Sequence, residues 1–77
     1  MEVATSTKLK ELREELHLSQ EALARAAGVT LATYRNAERG NRVFYSTAKK
    51  ILDALNKERQ DRQKPPVTVD DLGLDLV

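Results

Sequence analysis

The sequence contains no cysteine, which removes disulfides, thiolate metal sites and cysteine nucleophiles together. That absence fits a reducing cytoplasm, the compartment expected here. No apolar run is long enough to span a bilayer, and Met1–Thr7 shows no signal-peptide pattern, so no membrane association is expected. Histidine occurs once, at His17. With no glycine-rich phosphate loop and no separated carboxylate pair in an expected cleft, a catalytic constellation is missing. An enzyme, a metal site and a cofactor are therefore not expected. Internal repeats and low-complexity tracts are absent as well. The formal net charge of +1 is too small to suggest nucleic acid by itself.

The distribution of charge says more than its sum. Between Thr30 and Lys50, five basic residues (Arg35, Arg39, Arg42, Lys49, Lys50) stand against Glu38 alone. From Lys64 onward, that single lysine faces Asp70, Asp71 and Asp75. A basic region beside an acidic tail is an asymmetry that needs a cause. At 77 residues the chain makes one small domain. Its core is modest, so either the helices pack efficiently or a second copy adds buried surface.

The chain is organised around Gln20–Gly40, QEALARAAGVTLATYRNAERG. Ser19 is placed to cap a first helix, within which Leu23, Ala26 and Ala27 follow at helical spacing and Ala24 is small where a second helix passes. Gly28 supplies positive φ at the end of that helix. Thr30 then caps a second helix through Leu31 to about Glu38, stopped by Arg39-Gly40. A helix, a short glycine-containing turn and another helix form a unit whose second helix can lie in the DNA major groove.

This stretch resembles the helix-turn-helix of the lambda-repressor-like, Xre/Cro class of bacterial and phage regulators. The resemblance rests on Leu18-Ser19-Gln20-Glu21, Leu23-Ala24, Gly28-Val29-Thr30 and Glu38-Arg39-Gly40, supported by Leu9–Arg13 upstream and Thr47–Ile51 downstream, and covers roughly residues 7 to 56. It implies an all-α fold of four or five helices. Tyr34 and Ala37 depart from the family, which usually places two branched aliphatics there. One is larger and the other smaller, so their volumes compensate, and the repacking bears on the tilt of the recognition helix.

The flanking sequence completes the expected architecture. Met1–Thr5 is expected to fray, and Ser6 or Thr7 to cap a first helix to about Leu16 with Leu9, Leu12 and Leu16 as its stripe. His17 falls where the family often has glycine, and histidine tolerates left-handed geometry. Asn41–Tyr45 reads as a loop in which Val43 and Phe44 plug the core. A further helix starts near Ser46 or Thr47 and runs through Leu55 on Ala48, Ile51, Leu52 and Leu55. Lys49 and Lys50 beside that face either meet DNA backbone or serve as a solubilising surface.

Residues 1–56 are thus expected to form the DNA-binding domain and 57–77 a polar linker and interaction tail. NKERQDRQK (56–64) can extend the last helix by a turn or two but has no apolar face of its own, and Pro65-Pro66 ends any helix. Thr68 to Leu72 reads as a short capped helix. The alternation of Val67 and Val69, then Leu72, Leu74 and Leu76, equally suits an extended segment. These apolar residues need a surface, whether on their own domain, a second copy or another protein.

The resemblance also implies roles at the DNA. Gln20 opens the first helix of the motif against a phosphate, where backbone N–H groups and the helix dipole suit an anion. Base contact falls to Thr30, Leu31, Ala32, Arg35 and Asn36: Leu31 and Ala32 against thymine methyl groups, Arg35 on guanine and Asn36 on adenine. Thr33, Arg39, Asn41 and Arg42 are placed for phosphates. Arg13 and Glu38 match a family ion pair between the first and third helices.

The expected partner is double-stranded DNA, bound by a homodimeric repressor at a near-palindromic operator. Two alternatives stand beside it. One is a helical module that only binds protein. The other is an antitoxin that autoregulates its operon and holds a toxin with its tail.

Overall fold

The computed structural model describes residues 7–77, so the expectations for Met1–Thr5, and Ser6 as a cap, lie outside the described residues. Five helices follow in order: α1 (Lys8–Glu15), α2 (Gln20–Ala27), α3 (Leu31–Glu38), α4 (Tyr45–Asp61) and α5 (Val69–Leu72). The fold is all-α.

Local chemistry sets most of the helix ends. The Ser19 hydroxyl accepts the Ala22 N–H at 3.0 Å and the Thr30 hydroxyl accepts that of Thr33 at 3.1 Å, each satisfying one orphan donor of the first turn. Gly28 closes α2 at φ +74°. A Cβ there would meet open space, so conformation rather than crowding calls for glycine. His17 takes φ +58° after α1, the geometry expected of it. Thr7 stands at the N-cap of α1 but its side chain makes no capping bond. Instead its N–H donates to the Glu38 carbonyl at 3.1 Å, tying the start of α1 to the end of α3.

The core draws on every helix. Leu9, Leu16, Leu23, Tyr34, Ile51, Leu55 and Leu72 are fully buried, with α4 packed on α2, and α1 packed on α3 and α5. Ala26 is exposed, against expectation, because the inward face of α2 is carried by Leu23 and Ala24, with Ala27 half-buried one turn beyond Leu23. Phe44 is also exposed, at 66%. It stands in extended geometry next to Val43, and adjacent extended residues project to opposite sides, so Val43 alone plugs the core.

The fourth helix begins at Tyr45, before Ser46 or Thr47, and runs six residues past Leu55, within the turn or two of extension expected for the polar stretch. What carries it onward is Arg59, one turn after Leu55 and 7% exposed. Its Nε donates to the Pro65 carbonyl at 2.8 Å and its Nη1 to Glu15 at 3.3 Å. A long polar side chain thus supplies the inward face that an apolar residue would otherwise provide. The boundary expected at 56/57 consequently falls inside an unbroken helix.

The tail folds back over its own helices. Asn56 receives it, its side-chain amide donating to the Val67 carbonyl and accepting the Val67 N–H, both at 2.9 Å. In α5 the Asp71 carboxylate accepts the Thr68 N–H at 2.8 Å, a bond that, first among its causes, holds the Asp71 pKa below its ordinary value. Leu72 then enters the core, while Val67, Val69, Leu74 and Leu76 pack against it half-buried. After Gly73, in left-handed geometry, the chain turns extended and Leu76 forms a parallel bridge with Val43. The helical reading therefore holds through Leu72, and the extended one only after Gly73.

Candidate nucleic-acid interface

Glu38 is the pivot on which the two motif helices are set. It is 4% exposed, and its carboxylate accepts four bonds. Arg13 donates from Nε at 2.6 Å and Nη2 at 3.3 Å, Gln20 from its amide at 2.9 Å, and the Tyr34 hydroxyl at 2.6 Å. Arg13 also donates to the Leu18 carbonyl at 2.7 Å. A buried carboxylate needs such compensation. Burial pushes its pKa up, but the donors from Arg13, Tyr34 and Gln20 outweigh it and hold the group below its ordinary value. Burial and the Glu38 carboxylate together raise the Tyr34 hydroxyl well above its usual range. The bond to Glu38, opposed by burial, raises the Arg13 guanidinium. Arg13 and Glu38 thus stay ionised while Tyr34 stays protonated, and the set links α1, α2 and α3.

This arrangement reaches the outer face through Gln20. Glu38 offers only acceptors, so the Gln20 amide must turn its nitrogen inward. Its oxygen then faces out and accepts the Arg35 Nε–H at 3.3 Å, leaving the terminal nitrogens of Arg35 free. The side chain expected near a phosphate is thereby engaged within the motif.

The remaining candidates divide by exposure. Ala32, Arg35, Asn36 and Arg39 are exposed on α3 or at its C-terminal end, Thr33 is half-buried, and Thr30 is exposed at the N-cap. Leu31 is half-buried against the core, which limits what it can present to a groove. Asn41 is exposed but turned back onto α3, its amide donating to Asn36 Oδ1 at 3.3 Å and its N–H to the Asn36 carbonyl at 3.0 Å. It therefore orients Asn36 rather than pointing freely outward. Thr33, Asn36, Arg42, Val43, Phe44 and Thr47 line one groove of about 240 Å³ between α3 and the loop that follows. Lys49 pairs with Asp53 one turn on, at 3.1 Å. Sequence reasoning missed the Tyr34–Glu38 bond, although their spacing of four in a helix signals it. It also missed Asp75, which lies 3.7 Å from Arg42 and which no local pattern places there.

Among the described residues no helix is long and apolar enough to cross a membrane. The family model HTH_3, Helix-turn-helix, matches residues 9–61. No curated protein and no solved structure matches the chain. The matched span runs from Leu9 in α1 to the end of α4, and includes the capped α2–turn–α3 unit and the Arg13–Glu38 pair. The chain belongs to the lambda-repressor-like helix-turn-helix family of DNA-binding regulators.

Proposed function

We propose that the protein is a sequence-specific repressor that binds a near-palindromic operator as a homodimer, in the cytoplasm where that DNA resides. The observation that carries this reading is the outer face of α3. There Ala32, Arg35 and Asn36 are exposed together, and both polar side chains are oriented by neighbours, Arg35 by Gln20 and Asn36 by Asn41. Such preorganisation suits direct readout, Arg35 on guanine and Asn36 on adenine, each bidentate pair being worth about 1–3 kcal/mol of discrimination. Thr30, Leu31 and Ala32 border those contacts. Thr33, Arg39, Asn41 and Arg42 flank them on the phosphate side, where contacts give affinity and register. Gln20 lies at the N-terminus of α2, whose free N–H groups suit a phosphate.

One recognition helix reads few base pairs, which is why a two-fold dimer is proposed. Its recognition helices would lie about 34 Å apart, or a multiple of that. Leu72, Leu74 and Leu76 are committed to their own domain, so we assign the dimer surface to Phe44, Tyr45 and Val77, the large apolar side chains left exposed among the described residues. The same burial weakens the antitoxin alternative, in which the tail would hold a toxin.

Sequencing the genomic fragments that the purified protein retains tests the proposal. An enriched near-palindrome is expected, and Asn36→Ala should reduce the preference for it over random duplex while leaving the salt slope intact. A protein that ultracentrifugation finds monomeric both free and on its preferred fragment would refute the dimer.

A further inference from the structure

The acidic tail and the basic recognition region, separate features of the sequence, meet at one point. The Val43 N–H donates to the Asp75 carbonyl and the Val77 N–H to the Val43 carbonyl, each at 2.9 Å. Two backbone bonds thus clamp the tail along the loop after α3. Val43 is buried, so the clamp is anchored in the core. Its consequence is local and electrostatic, for it sets the Asp75 carboxylate 3.7 Å from the Arg42 guanidinium. Both side chains are more than half exposed, so their attraction alone would hold them weakly. The backbone bridge, not the ion pair, keeps them adjacent. Arg42 also lines the groove shared with Thr33 and Asn36.

We propose that Asp75 is an internal competitor for Arg42, a carboxylate held where a DNA phosphate would otherwise draw the guanidinium. This rests on the reading above, in which the loop after α3 meets the DNA backbone. A phosphate that engages Arg42 must displace Asp75 or share the cation with it. Asp75 therefore lowers affinity for duplex of any sequence and reduces the counterion release that Arg42 contributes. It does not contact DNA and has no part in base preference. The tail so becomes a positioning element of the interface, and the charge asymmetry of the chain acquires a cause.

The test uses the full chain and a mixed-sequence duplex of about 20 base pairs, long enough for two half-sites a turn apart. Asp75→Asn keeps the backbone clamp and removes the charge. It should bind more tightly than wild type, with the slope of log K against log salt steeper by up to about 0.9. Over a fourfold rise in salt, from about 50 to 200 mM, that difference shrinks its advantage by about 3.5-fold. In an Arg42→Ala background the gain should fall to less than half on a logarithmic scale, because the pair is already broken. Asp70→Asn, in the same tail but outside this pair, should give a smaller gain, and all variants should melt normally. Equal affinity and slope for Asp75→Asn would overturn the proposal. So would an equal gain in both Arg42 backgrounds, or an equal gain from Asp70→Asn, since Asp75 would then act as general surface charge. Wild-type protein that binds no duplex at low salt refutes instead the reading on which the proposal rests.

Discussion

Replacing Tyr34 by Phe removes one oxygen from the centre of the domain and leaves everything else in place. The ring is fully buried, and Phe fills nearly the same volume, so no cavity opens. What disappears is the 2.6 Å bond to Glu38, in which the acceptor is an ionised carboxylate. Hydrogen bonds to charged groups contribute about 1.5–3 kcal/mol. Glu38 keeps Arg13 and Gln20 as donors, which places the loss within that range rather than at the larger cost of an unpaired buried charge. A domain of this size has about 4–12 kcal/mol in all. The variant should therefore remain folded, with its melting temperature lowered by at least about 6 °C.

The pH dependence makes the argument specific. The folded-state pKa of Glu38 lies below its ordinary 4.5, so its contribution is fully present above that value and is lost as pH falls through the folded pKa. Losing the Tyr34 donor raises the folded pKa toward 4.5, so the gap between wild type and Tyr34→Phe should be widest near neutrality and narrow in acid. At the other end, the folded pKa of Tyr34 lies above its ordinary 10.0. Wild type should lose this contribution as pH rises beyond 10.0, whereas the variant has no such group to titrate. Urea unfolding followed by circular dichroism across this range measures both effects. A gap that is absent, or constant from acid to neutral pH, would refute the account of Glu38 as an ionised, Tyr34-bonded pivot.

Other outcomes follow from single contacts. Leu72→Ala should destabilise the domain by about 2–5 kcal/mol in urea titrations, since that side chain is fully buried; an unchanged midpoint would return it to a partner surface. Ser19→Ala should cost about 1 kcal/mol through the lost cap of α2, read as a lower unfolding midpoint.

Local chemistry explains which parts of this fold were legible in the sequence. Ser19, Thr30 and Gly28 act on their own neighbours within a turn, so their identity is sufficient to place both ends of α2 and the start of α3. The apolar positions of α1 and α4 follow from helical spacing, and the short helix ending at Leu72 from Thr68 and its two aspartates. Arg59 was not legible. Its burial depends on Pro65 and Glu15, one beyond a turn and the other on a different helix, and no pattern within NKERQDRQK marks it as inward. Phe44 misled for a related reason, since hydrophobicity alone does not say which of two adjacent apolar residues in an extended stretch faces the core.

The candidate interface divides along the same line. Its residues could be named from the motif, but their orientation could not, because it is set by contacts between segments far apart in the chain. Tyr34 and Ala37, which stood out as departures from the family's usual aliphatics, show why this matters. Both are fully buried, and Tyr34 brings a hydroxyl that packing alone would not require. That hydroxyl ends on Glu38, Glu38 turns the Gln20 amide, and Gln20 holds Arg35. A substitution that looks like repacking of the core is thus connected by three hydrogen bonds to a guanidinium on the outer face of the recognition helix.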